Sequence, residues 1–193
     1  MVSVAVKFRG LMVFVDGTNL LRGIGRNIGL NDLKAFKPSK EILTLAKSYI
    51  NTAIMGVSKV DFIRTYWFAS YKGSDEDKFN LCEEIRNINC EPLLYPLRNK
   101  REKGVDIALT MSMLTNAFNH NYEIGLLIAG DEDYLELVNE VKRYGIIICG
   151  SYFKEGLSNR LKLSFDGFQY ISHSLEKQRY NELVEIIKNT AKK

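Results

Sequence analysis

Residues 12–21, MVFVDGTNLL, set four apolar side chains ahead of Asp16, Gly17, Thr18 and Asn19 before the chain turns apolar again. Residues 11–15 form a short, continuous apolar run, the pattern of a strand covered on both faces. A carboxylate standing alone at the end of such a strand is costly to desolvate. An Asx-type turn is the ordinary explanation for Asp-Gly-Thr-Asn. Whether that suffices depends on what the rest of the chain brings to the same place.

Downstream, strands alternate with helices. Residues 38–56 open on Pro38 and Ser39, repeat apolar residues at helical spacing and stop at Gly56, which predicts a helix. Aromatic and β-branched residues over 59–70 predict a strand. The Ser and acids of 74–77 cap a helix over 74–87. Residues 90–97 read as a strand that its prolines place near a sheet edge. The stretch 104–120 is apolar nearly all round, which predicts a buried helix. A buried strand follows over 123–130, an amphipathic helix over 131–145, a second buried strand over 146–153, and a charged tail helix with an apolar stripe over 174–193. At the N-terminus, Val2, Val4, Val6 and Phe8 alternate with other residues, as in a half-buried strand. The glycines of GIGRNIG (23–29) read as loop glycines. The order predicts a three-layer α/β sandwich with a mainly parallel sheet. In such sheets ligands sit outside the carboxyl ends of the strands.

At 193 residues, 46% hydrophobic and 26% charged, the chain suits one globular domain with an appended helix. A net charge of +4 permits an anionic partner without demanding one. Three cysteines, with no C-x-x-C spacing, weigh against a disulfide framework and a zinc site. With no membrane-length apolar stretch and no signal-peptide order, a cytoplasmic location and no membrane partner are expected.

The strand-end rule gives the acids their meaning. Asp16 ends the first strand, Asp131 and Asp133 follow LLIAG directly, and Asp106 opens the helix after the RNKREKG loop. All four are expected at one rim of the sheet. Taken singly, Asp131 and Asp133 suit a helix N-terminus, and Asp106 is an ordinary first-turn acid. Taken together, converging carboxylates repel one another unless a cation neutralises them. Oxygen-only donors suit Mg²⁺ or Mn²⁺, and carboxylate-held ions of this kind serve phosphodiester hydrolysis. Neither His120, at a helix end, nor His173, in the tail, belongs to the set.

The ordered segments FVDGTNLL, KGVDIALTMSML and LLIAGDEDYLELVNEVKRYG resemble the three signature segments of the NYN domain, of the LabA/DUF88 type, a branch of the PIN-like nucleases. LSNRLKLSFDGFQYI (157–171) is similar to that family's closing helix and strand. The resemblance implies a Rossmann-like PIN fold over 1–172, followed by a C-terminal helix over 173–193. It also implies a metal-dependent ribonuclease that leaves 5′-phosphate and 3′-hydroxyl ends. Asp16, Asp106, Asp131 and Asp133 would bind the metal, and Asn19 would orient a water at the metal or Asp16. Ala129 departs from the family's usual Ser or Thr. Tyr134 replaces the more frequent Phe, which reads as a mild change. Glu41, Asp75 and Glu83 are loose candidates for a further acid.

Lys103, Arg101 and Arg22 are the candidate phosphate contacts, with Arg26, Arg98 and Lys100 near them, so RNA, single-stranded or structured, is the expected partner. A solvated charged loop is the bland alternative. Tyr66 and Tyr71 could stack bases, whereas Trp67 reads as core. The tail helix could pack on the domain or join a homodimer. Two rival enzymes fail on spacing. A haloacid-dehalogenase-type phosphatase needs a nucleophilic Asp where Phe14 stands, and the dinucleotide fingerprint needs its glycines in the turn leaving the strand. A non-catalytic RNA-binding module of the same fold is the remaining alternative.

Overall fold

In the computed structural model, residues 9–30, 38–58, 60–97 and 104–191 are described. The strand expected over 2–9 lies outside them except for Arg9, which opens β1 (Arg9–Asp16). Successive side chains of a strand point to opposite faces, and β1 obeys this to its last residue. Leu11, Val13 and Val15 enter one core, and Met12 and Phe14 the other. That parity sends Asp16 to the face of Met12 and Phe14.

The remaining strands are β2 (Val60–Tyr71), β3 (Glu91–Pro96), β4 (Ile124–Ile128), β5 (Ile147–Tyr152) and β6 (Gly167–Tyr170). They form one sheet in the order β3-β2-β1-β4-β5-β6, with every pair parallel. β3 is an edge strand, as its prolines predict. The chain builds outward from β1 to β3, then crosses back to place β4 on the other side of β1. The gap between β1 and β4 is therefore the switch point at which open α/β sheets form a crevice.

Helices cover both faces, as the three-layer reading predicts. α1 (Gly17–Asn27), α2 (Lys40–Met55), α3 (Asp75–Asn87) and α7 (Lys177–Ala191) enclose one core. α4 (Val105–Phe118), α5 (Leu135–Arg143) and α6 (Asn159–Ser164) enclose the other. Full burial of a side chain such as Leu11 or Phe14 contributes about 1.5–3 kcal/mol. α7 packs on the domain through buried Leu183 and Ile187. No helix among the described residues is long and apolar enough to cross a membrane. Cys82, Cys90 and Cys149 are free thiols.

Three expectations need correction. Gly23 and Gly25 are not loop glycines: they lie inside α1, which the sequence reading lacks. Each glycine weakens the helix signal by ~1 kcal/mol relative to Ala. A Cβ on Gly23 would stand 2.6 Å from the Phe153 ring, so close packing accounts for it. The terminating glycine is Gly29, at φ +78° just beyond the helix. α4 is not buried all round: Val105, Leu109, Met113 and Ala117 are buried, whereas Ile107, Met111 and Phe118 are exposed. An apolar composition says nothing about which stripe meets the sheet. The helix expected over 131–145 divides into a 3-10 turn (Glu132–Tyr134) and α5.

Candidate active site at the switch point

Each residue of Asp-Gly-Thr-Asn ties α1 to a different neighbour. Asp16 caps α1, its Oδ1 accepting the Asn19 N–H at 2.9 Å. Gly17 leaves room for Trp67, whose indole Nε1 would lie 2.2 Å from any Cβ there. Thr18 Oγ1 accepts the Ser70 N–H of β2 at 3.3 Å. Asn19 Oδ1 accepts the Gly130 N–H, just beyond β4, at 3.0 Å. The Asn19 carbonyl accepts the Tyr152 hydroxyl of β5 at 2.6 Å. A turn alone needs only the Asp16–Asn19 contact, so this strand-to-helix junction joins four strands.

Asp16 is 5% exposed and its second oxygen has a partner as well. The Tyr134 hydroxyl lies 2.9 Å from Asp16 Oδ2 and 3.0 Å from Asp106 Oδ1. Strand parity points Asp16 toward the α4 layer, and the first turn of α4 supplies Asp106. Tyr134 ends the 3-10 turn, with its ring buried in the same core. Burial first, then the two carboxylates, raise the pKa of this hydroxyl well above the ordinary tyrosine value. It stays protonated and has a hydrogen to donate.

Substitution by Tyr at 134 is therefore not the mild change expected of a core aromatic. Its hydroxyl joins two of the four candidate acids. Sequence patterning could not find this, because a buried Phe satisfies the same apolar spacing.

Asp131 and Asp133 sit in a different setting. Both are exposed, and Asp131 Oδ1 accepts the Asp133 N–H at 3.2 Å, capping the 3-10 turn. Asp131 lines a cleft of about 450 Å³ with Asn19, Arg22, Arg26, Glu132 and Ser158. Gly156, at φ +84°, lets the loop after β5 pass close to the Arg26 guanidinium; a Cβ there would come within 2.8 Å of it. Arg26 also lies beside the Tyr152 hydroxyl, whose pKa burial raises. Glu132 is held by the Ser158 hydroxyl at 2.8 Å and by Arg160, which lower its pKa. Two cations one helical turn apart thus face the cleft across from Asp131.

Among the described residues, no three acidic, histidine or cysteine side chains gather in cation-holding geometry. What the structure brings together is the pair Asp16 and Asp106. Mg²⁺ commonly takes one or two carboxylates and keeps several waters. Two carboxylates therefore suit such an ion in donor type and in number.

Lys103 and Arg101, with Arg98 and Lys100, lie outside the described residues. Glu41 is held at its own helix start by the Ser39 hydroxyl, and Asp75 belongs to the capped first turn of α3. Trp67 is core, and Tyr66 stacks on Phe14. Asp166, from the closing segment, accepts the Ile148 N–H at 2.8 Å and pairs with Lys142, fastening β5.

No curated protein matches the chain. Among solved structures, a Vibrio parahaemolyticus protein of unknown function is similar to it, with a TM-score of 0.64. The two are 18% identical, and the match covers 87% of this chain and 96% of that one. At that identity the likeness concerns the fold alone. The NYN domain matches residues 10–174, which span the three signature segments and the closing helix and strand. The chain thus belongs to the NYN domain family, within the PIN-like nuclease superfamily.

Proposed function

We propose that this protein is a divalent-metal-dependent ribonuclease whose ion is held by Asp16 and Asp106. The observation that carries this reading is the buried Asp16, joined to Asp106 through one hydroxyl at the β1–β4 crevice. When bound, Mg²⁺ or Mn²⁺ supplies Lewis-acid activation of water and of the scissile phosphate.

The protein's own contribution is placement. Asn19 fixes the end of β1 against the end of β4, so the carboxylate pair and the arginine cleft keep one relative position. Arg22 and Arg26 hold phosphates flanking the cleaved bond, and Lys103 and Arg101, which precede α4 in the sequence, are further candidates for phosphate contact. Asp131 lines the arginine cleft and adds an acidic group there. Asp133 adds charge beside it.

Labelled single-stranded and structured RNAs, incubated with Mn²⁺, Mg²⁺ or EDTA, test the proposal. Cleavage is expected with either metal, absent in EDTA, and lost in Asp16→Asn. Cleavage that survives Asp16→Asn, or fails with both metals, contradicts it. Ala129, where the family resemblance implies Ser or Thr, favours a second reading: an RNA-binding module without turnover. RNA retained but uncut with both metals would establish that reading.

A further inference from the structure

Tyr134 carries one hydroxyl hydrogen, yet its oxygen lies within hydrogen-bonding distance of two carboxylates. One carboxylate accepts the hydrogen at a time, so the single hydroxyl bridges the pair. The ring behind this hydroxyl is 1% exposed and packed in the core of α4 and α5, so the oxygen has little freedom to move away. The two acids differ in how else they are held. Asp16 is buried and fixed by the Asn19 N–H. Asp106 is exposed, in the first turn of a helix whose N-cap, Gly104, offers no side chain. Among the described residues, the Tyr134 hydroxyl is the donor that reaches Asp106.

We propose that Tyr134 is a positioning residue that latches Asp106 beside Asp16 and so sets the affinity of the pair for a divalent cation. This rests on the metal reading above and goes beyond it, since a cation site needs no tyrosine and Phe fills the same core volume. The latch fixes the spacing of the two carboxylates before the ion arrives, so their mutual repulsion and the ordering of Asp106 are not opposed at the moment of binding. Hydrogen bonds that orient metal-ligating side chains are commonly worth 10- to 100-fold in affinity.

The test is the Mn²⁺ dissociation constant, measured by titration calorimetry on the full chain without RNA. The proteins are the parent, Tyr134→Phe, Asp16→Asn and Tyr122→Phe. Tyr122 is a second buried tyrosine of the same core, its hydroxyl donating to the Met113 carbonyl at 3.1 Å, remote from the acids in bonding. It controls for loss of a buried hydroxyl as such. Circular dichroism identifies the variants that are folded at the titration temperature.

The expected result is Mn²⁺ binding that weakens ~10-fold or more in Tyr134→Phe and is unchanged in Tyr122→Phe. Equal or tighter binding by Tyr134→Phe, with binding lost in Asp16→Asn, overturns the latch and leaves the metal reading standing. Equal weakening by Tyr122→Phe also overturns it, by making the effect general to the core. No Mn²⁺ binding by the parent, or undiminished binding by Asp16→Asn, overturns the metal reading and the latch with it. Should Tyr134→Phe fail to fold, Asp106→Asn takes its place. This variant keeps the hydroxyl but replaces the latched carboxylate, and binding as tight as the parent's would overturn the proposal.

Discussion

Strands β1 and β4 lie side by side, both carry continuous apolar runs, and both lead to an aspartate that caps the next helical turn. At the end of β1 the aspartate is buried, and both its oxygens accept bonds, one from the backbone and one from a hydroxyl shared with Asp106. At the end of β4 the aspartate is exposed, and its carboxylate accepts the Asp133 N–H as a cap. The glycine falls after the aspartate in β1 and before it in β4. Gly17 admits Trp67 under the new helix, and Gly130 lets the chain meet Tyr152 and the Gly156 carbonyl. The same sequence signal thus produces a partnered, desolvated carboxylate on one strand and a solvated cap on the other. Capping accounts for the bond that the Asp131 carboxylate accepts from Asp133 and for only one of the two that Asp16 accepts. The residue left unexplained by local chemistry is the better candidate for function.

Exchanging either aspartate for asparagine gives the largest difference. Asp16→Asn is expected to lower metal-dependent RNA cleavage by ~100-fold or more, and Asp131→Asn by ~10-fold. Initial rates with a labelled RNA decide it, and equal losses would erase the distinction between the strands.

Gly17→Ala should cost about 2 kcal/mol, because the new Cβ falls on a buried indole. In a chain of this size that is a fall in Tm of roughly 4–8 °C. An unchanged Tm would show that Trp67 moves aside freely.

How much of this was legible in the sequence follows from the same residues. Apolar runs ending on acids placed β1 and β4, and their carboxyl ends located the crevice. α1 was hidden because Gly23 and Gly25 depress the helical pattern, Gly23 being required by its contact with Phe153 and Tyr152. α6 and β6 emerged through resemblance alone, being six and four residues long, too short to show a period. The bridging hydroxyl of Tyr134 was invisible because patterning registers its ring and not its tip. The exposed face of α4 was missed because hydropathy does not say which side of a helix the sheet covers.

Asn19→Ala removes the bond that joins the two strand ends and leaves the Gly130 N–H without its acceptor. The expected cost is about 1–2 kcal/mol, read as a lower Tm, with a partial loss of cleavage. A stability loss without any kinetic change would make Asn19 a structural tie only.

The smallest effect concerns the two layers beneath the strands. Burial, as the first cause, raises the hydroxyl pKa of Tyr49 on the α2 side and of Tyr122 on the α4 side. A group whose folded pKa is raised contributes stability that is complete below the unfolded value, about 10 for tyrosine, and is lost as pH rises above it. Tm should therefore fall above pH ~10, less steeply in Tyr49→Phe or Tyr122→Phe. A slope unaltered in both variants would place the alkaline loss elsewhere.

The central claim, that β1 and not β4 carries the cation, is tested most directly by anomalous diffraction from crystals soaked in Mn²⁺. The account predicts a manganese peak between Asp16 and Asp106. A peak confined to Asp131 and Asp133, or no peak in the crevice at saturating Mn²⁺, would contradict it.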